Sequence, residues 1–185
     1  MRPVASFRSI LALLCLSMPA GACGGAGAYG FAHEYEFVEG ERAFAEGSVT
    51  LSYEEVQRAR PEAQVRQAWF GVVTGAPVRQ EDGTVRVPLS LRAHQERHLC
   101  QTSSSETCRV TVSARDLGSF TAVLSLRPDD RAGRLRLWTG SLVKVYGTAT
   151  GETDASGGPV LRGEWYRHWP AHYFVTTAAS GGMRR

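Results

Sequence analysis

Residues 140–170, GSLVKVYGTATGETDASGGPVLRGEWYRHWP, decide the fold of this chain. Residues 140–147 follow the pattern Gly-x-x-Val-x-Val-x-Gly, which is typical of a β-strand with glycine at both ends. Residues 156–159, Ser-Gly-Gly-Pro, break the chain, and residues 160–170 then run from apolar residues into Tyr-Arg-x-Trp-Pro. The stretch therefore predicts two strands joined by a glycine-rich connection.

The chain before this hairpin is also rich in strand patterns. Residues 68–74 form an apolar run, and from Val85 to Leu91 apolar and polar residues alternate, as they do in a strand with one wet face. Further strands are predicted at Val110 and Val112, at residues 120–126 and at residues 173–177.

One helix is predicted near the N-terminus of the folded part. Ser52-Tyr53-Glu54-Glu55 is a capping box, in which the Ser52 side chain caps the helix and Glu55 reaches back to the Ser52 amide. Together with strands about every 10–20 residues, this pattern predicts a mainly β protein. We expect a small antiparallel β-barrel, OB-fold-like, with one short N-terminal helix.

The OB-fold expectation comes from a resemblance. The hairpin at 140–170 looks like the last two strands of an OB-fold barrel, and residues 127–140 occupy the place of the helix that usually precedes them. Residues 65–175 as a whole resemble the starvation-inducible outer-membrane lipoproteins (Slp-type) and related exported proteins. The resemblance implies a location and a fold more than an activity, since fold does not determine function. It rests on residues 69–73 (Trp-Phe-Gly-Val-Val), 118–122 (Gly-Ser-Phe-Thr-Ala), 140–147 and 166–170 (Tyr-Arg-His-Trp-Pro).

The N-terminus predicts export. A basic start, with Arg2 and Arg8, precedes an apolar stretch that is too short to span a bilayer, so residues 1–22 are expected to be a signal peptide. Ala20-Gly21-Ala22 before Cys23 fits either an ordinary signal-peptidase cut or a bacterial lipobox, which implies lipidation of Cys23. Gly24, where the inner-membrane retention signal has Asp, then implies an anchor at the periplasmic face of the outer membrane. The alternative is a soluble periplasmic or secreted protein.

The cysteine count agrees with export and lipidation. Cys15 leaves with the signal peptide and lipidation uses Cys23, so that Cys100 and Cys108 remain. An even pair in an oxidising compartment is expected to form a disulfide. The polar loop of residues 101–107 would then be closed by a structural bridge.

The predicted organisation is a signal peptide at 1–22, a lipidated tether and approach segment at 23–50, one barrel domain at 51–178 and a frayed tail at 179–185. Loss of Arg2 and Arg8 reduces 21 basic residues to 19, against 18 acidic ones, so that no nucleic-acid partner is expected. The expected partners are the membrane, through the lipid, and an envelope protein or glycan. Lys144 is the only lysine, and we take the excess of arginine as an effect of GC-rich codons.

An aromatic cluster at residues 165–174 is the candidate binding site. Alternation along a strand places Trp165, Arg167 and Trp169 on one face and Tyr166 and His168 on the other. Aromatic side chains on such a face stack against sugar rings or bases in many barrels, although they also fill cores. The possible ligand-binding residues are Trp165, Arg167, Trp169 and Tyr173.

Metal binding and catalysis receive little support from the sequence. His94-x3-His98 and His168-x3-His172 repeat one spacing, but on a strand the two imidazoles would lie about 13 Å apart, too far for one ion. The pair Asp129-Asp130 after Pro128 is expected to form a turn. No nucleophile elbow or phosphate-binding loop is present. We therefore expect no enzymatic activity, no cofactor and no metal site, with a metal-binding protein as an alternative.

Overall fold

The computed structural model describes residues 35–58, 65–98 and 110–177, without the side chains of residues 96–98. The predicted signal peptide, Cys23, the pair Cys100 and Cys108, and the tail at 179–185 lie outside the described residues. The predictions made for them stay predictions.

The described parts of the chain contain nine strands and three short helices. The helices are α1 (Arg42–Ala45), α2 (Tyr53–Arg58) and α3 (Pro128–Arg131). The strands are β1 (Arg66–Val73), β2 (Val78–Arg79), β3 (Val85–Arg92), β4 (His94–His98), β5 (Val110–Val112), β6 (Ser119–Leu124), β7 (Leu142–Thr153), β8 (Pro159–Trp169) and β9 (Phe174–Thr176).

The predicted helix is α2, and its capping box is formed. The Ser52 amide donates to Glu55 Oε2 at 2.7 Å, and the Glu55 amide donates to Ser52 Oγ at 3.2 Å. The single-turn helices α1 and α3 are additions to the prediction. α3 stands where a turn was expected at Asp129-Asp130, because Pro128 in its first turn already has the helical φ.

Five strands close into a barrel in the order β1-β7-β8-β6-β3, with β3 pairing back to β1. The predicted fold class, a mainly β protein built on a small barrel, is confirmed, and the strand order is compatible with an OB-fold-like arrangement. Four of these pairings are antiparallel, whereas β6 and β8 are parallel. A closed ring with an odd number of strands cannot alternate direction throughout, so a barrel of five needs one parallel pair.

The barrel interior holds the main core. The alternation predicted for β3 is observed, because Val85, Val87, Leu89 and Leu91 are all buried in this core. Val56 of α2 packs against the same core, which fixes the N-terminal helix to the barrel. Further members of this core are Trp69, Phe120, Leu124, Val143, Val145, Leu161 and Tyr166.

A second sheet, β4-β5-β9, accompanies the barrel. Val110 and Val112 of β5 pack with Phe70, Leu142 and Trp169 of the barrel strands in a separate apolar cluster. β9 reaches this sheet by pairing parallel to β5. Because of this second layer, the end of β8 is buried. Within the described residues, no helix is long and apolar enough to cross a membrane.

Candidate functional site

A buried carboxylate, Glu41, lies in the segment of residues 35–50, which crosses the barrel strands β7 and β8. We call residues 35–50 the N-terminal segment. Glu41 precedes α1 and is fully buried. Its Oε1 accepts hydrogen bonds from the hydroxyls of Tyr35, at 2.7 Å, and Tyr146, at 2.8 Å, and lies 3.1 Å from Lys144 Nζ. Its Oε2 lies 3.5 Å from Arg167 Nη1. We call these five residues the Glu41 cluster.

Lys144 is surrounded by aromatic rings as well as by the carboxylate. Its Nζ lies 3.7 Å from the centroid of the Tyr35 ring and 4.8 Å from that of Tyr146, with Phe37 and Phe70 at 5.2 and 5.3 Å. Burial lowers the pKa of this ammonium, the nearby Glu41 charge raises it in part, and the result is a pKa of about 8. The only lysine of the chain therefore has an unusually large neutral fraction.

The two tyrosines of the cluster stay protonated and donate hydrogen bonds to the Glu41 carboxylate. Burial, reinforced by the neighbouring Glu41 charge, raises the pKa of Tyr146 far above its usual value, and burial does the same for Tyr35. Arg167 Nη1 also donates to the Tyr35 hydroxyl at 3.1 Å and to the Glu36 carbonyl at 3.2 Å. The N-terminal segment is thus bound to β7 and β8 by hydrogen bonds and charge.

A cavity of about 880 Å³ lies beside this cluster, and we call it the aromatic cavity. Three residues of the Glu41 cluster line it: Tyr35, Lys144 and Tyr146. It is lined by Lys144 and Tyr146 of β7, by residues 68–70 of β1, and by residues of the N-terminal segment and of α2. The end of β3 and residues 115–117 also line it. The large apolar side chains that line it are Tyr35, Phe37, Leu51, Tyr53, Trp69, Phe70, Leu91, Leu117 and Tyr146.

The ligand-binding residues predicted from the sequence do not line the aromatic cavity. The alternation is as predicted, since Trp165, Arg167 and Trp169 have their contacts on one face of β8. Trp169 is buried and stacks on Phe70, whereas Tyr173 packs partly buried in the second core cluster. Trp165 lines a smaller cavity of about 190 Å³ with Arg127 and Glu164 among its neighbours.

A second polar cluster lies on the other face of β8, and we call it the Asp130 cluster. Its members are Asp130, Ser141, Tyr166 and His168. His168 Nδ1 lies 2.6 Å from Asp130 Oδ1, and His168 Nε2 lies 3.1 Å from Ser141 Oγ. The Tyr166 hydroxyl donates to Asp130 Oδ2 at 2.5 Å. Burial alone would raise the pKa of the Asp130 carboxyl, but the hydrogen bonds from His168 and Tyr166 and the charges of His168 and Arg127 outweigh it and hold that pKa at about 2.

The order Ser141–His168–Asp130 has the connectivity of a nucleophile, a base and an orienting acid. Ser141, however, is only 1% exposed, and it lines neither of the two cavities described above. Its Oγ also accepts a hydrogen bond from the Trp138 amide at 3.2 Å. Because Ser141 is buried and hydrogen-bonded on both sides, we interpret the cluster as the support of the loop between α3 and β7.

Neither cluster follows from a local sequence motif. Glu41 was one of several acidic residues in a polar approach segment, with no periodicity to single it out. Asp130 was expected in a turn, and its partners His168 and Ser141 are distant in sequence. The sequence did contain one signal of a buried ion pair. Lys144 interrupts the apolar run of residues 142–147, and a charge buried there requires a partner of opposite charge.

The predicted histidine pairs lie in different surroundings. His94 stacks on Phe70 with ring centroids 4.8 Å apart, and His98, whose side chain is not described, ends β4. His168 belongs to the Asp130 cluster, whereas His172 lies in the turn before β9 with a φ of 75°. Among the residues that the structure describes, no three His, Cys, Asp or Glu side chains are grouped to hold a metal ion.

Comparison with known proteins does not identify a relative. No model of a known protein family matches the chain, and no curated protein matches it significantly. A functional assignment must therefore be argued from the residues and the cavity.

Proposed function

We propose that the protein is an exported, lipid-anchored envelope protein whose barrel binds a small, mainly apolar ligand in the aromatic cavity. The observation that carries the binding role is the cavity itself. Its volume of about 880 Å³ lies within the range of small-molecule sites, about 300–1,000 Å³. Its lining has six aromatic side chains and three leucines beside six charged side chains, of which Lys144 alone is buried. An apolar and aromatic lining with a few polar groups that orient the ligand is typical of such sites.

The charged residues of the cavity are distributed unequally. Lys144 is the buried charged residue of the lining, whereas Arg92 is partly exposed and Glu54, Glu55, Arg115 and Asp116 are exposed. A ligand with an apolar body and one polar end would match an apolar lining with a single buried polar group. We therefore favour a small amphipathic molecule over a long polymer.

A neutral fluorescent probe tests the binding role. N-phenyl-1-naphthylamine should bind the protein at one saturable site, because its rings match the aromatic lining. Leu117 lines the cavity and is 38% exposed, so Leu117→Asp removes apolar contact without emptying the core. We expect its Kd to rise about 10-fold, which corresponds to the loss of about 1.4 kcal/mol.

Leu135→Asp is the matched control, because Leu135 is 42% exposed and does not line the aromatic cavity. Its Kd should equal that of the wild type in a fluorescence titration. Equal weakening by both variants, or fluorescence that never saturates, would contradict the binding role.

The anchoring part rests on the N-terminal sequence and on the Slp-type resemblance. Expression of the full chain in a Gram-negative host should yield a mature N-terminal peptide that begins with an acylated Cys23. Mass spectrometry of that peptide and membrane fractionation measure the outcome. Cys23→Ser should release the protein into the soluble fraction, and an unmodified Cys23 in the wild type would overturn this part of the proposal.

A further inference from the structure

The lining of the aromatic cavity includes the only side-chain amine of the chain. Lys144 is 6% exposed, lines the cavity and is held between the Glu41 carboxylate and four aromatic rings. We propose that Lys144 forms an imine with an aldehyde or ketone group on a ligand bound in the aromatic cavity. This inference rests on the proposed binding role and names the chemical class of the ligand.

The choice of lysine at this position supports the inference. Every other basic residue among the 21 Lys and Arg residues is an arginine. Arginine is also the residue that generally suits a buried ion pair, since it is always charged and less strongly hydrated than an ammonium. Arg167 in the same cluster has that role toward Glu41. A lysine differs from arginine in one chemical respect that matters here, because it can become a neutral amine and attack a carbonyl carbon.

The surroundings of Lys144 favour the neutral amine. Burial lowers its pKa to about 8, so that its neutral fraction at pH 7 is about 300-fold larger than that of an ordinary lysine. The ionisable groups that face it are Glu41 of the N-terminal segment, Arg167 of β8, and the tyrosines Tyr35 and Tyr146. Arg167 lowers the pKa further, whereas Glu41 raises it.

The Glu41 cluster also supplies what the reaction needs. The neutral amine attacks the carbonyl carbon, a C–N bond forms as the C=O π bond breaks, and a proton passes from nitrogen to oxygen to give a carbinolamine. The hydroxyl then takes up a proton and its C–O bond breaks as water leaves, while the nitrogen lone pair forms the C=N bond. The nitrogen finally gives up its last proton, which balances the one that the hydroxyl took up. Nothing is oxidised or reduced. Glu41 Oε1 can exchange protons with the nitrogen, because it lies 3.1 Å from Nζ.

Reductive trapping tests the inference. The full protein is treated with benzaldehyde and sodium cyanoborohydride, which reduces an imine to a stable benzylamine, and the modified site is found by peptide mass spectrometry. Because Lys144 is the only lysine, the α-amino group is the only other amine that can be modified. We expect one benzyl group at Lys144, with a rate that saturates with aldehyde concentration. At pH 7 this rate should be at least about 10-fold faster than that of N-acetyl-lysine amide.

Two variants separate the chemistry from the fold. Tyr146→Phe keeps the ring and Glu41 but removes a hydroxyl that donates to the Glu41 carboxylate, so it should slow trapping in a protein that urea denaturation shows to be folded. Lys144→Met should abolish the adduct at this position. Saturable probe binding without any adduct at Lys144 would overturn the imine and leave the binding role intact. Loss of both probe binding and trapping in the wild type would remove both proposals.

Discussion

Glu41→Ala is expected to lower the free energy of unfolding by about 3–5 kcal/mol, the cost of removing one partner from a buried ion pair. Glu41 is fully buried, and its loss leaves the Lys144 ammonium and the Arg167 guanidinium close together without their carboxylate. The hydroxyls of Tyr35 and Tyr146 also lose their acceptor. Urea denaturation at pH 7, followed by tryptophan fluorescence, measures the change.

Glu39→Ala is the control, because Glu39 is an exposed glutamate two residues earlier in the same segment. It should change the free energy of unfolding by less than about 0.5 kcal/mol. The double variant Glu41→Ala/Lys144→Met should regain part of the loss, because it removes one of the unpaired charges. A loss below about 1 kcal/mol for Glu41→Ala would show that the cluster does not hold the N-terminal segment to the barrel.

The same cluster shows where reasoning from the sequence stops. The barrel strands could be predicted because their signals are local: the period-two alternation of β3 and the two glycines that flank the run at 140–147. Glu41 and Lys144 are 103 residues apart, and no local pattern links them. Their pairing follows only from the crossing of the N-terminal segment over β7.

The aromatic cavity was not found from the sequence for a related reason. The face of β8 that carries Trp165, Arg167 and Trp169 was predicted correctly, but the sequence does not reveal what covers that face. Trp169 is buried because the small sheet β4-β5-β9 joins segments that are distant in the chain, through the parallel pairing of β5 and β9. The aromatic cavity is lined in part by the N-terminal segment. Its polar sequence predicted only a connection to the barrel, and did not predict that it lines a cavity.

Asp130→Asn is expected to lower the free energy of unfolding and to change how that free energy depends on pH. The folded pKa of Asp130, about 2, is below its ordinary value of 3.8. Its ionised form therefore stabilises the fold fully above about pH 4, and this contribution is lost as the pH falls through 2. The shift corresponds to about 2 kcal/mol. Asn keeps the shape and can still accept a hydrogen bond from Tyr166, but it carries no charge.

The difference between wild type and Asp130→Asn should thus be about 2 kcal/mol at pH 7 and should shrink toward zero between pH 4 and pH 2. Other carboxyls with lowered pKa values, such as Asp154, are common to both proteins and cancel in the difference. Urea denaturation across pH 2–7 gives the two curves, and the exposed neighbour variant Asp129→Asn should follow the wild type throughout. A difference that stays constant with pH would mean that Asn disturbs packing alone, and that the charge of Asp130 does not stabilise the loop between α3 and β7.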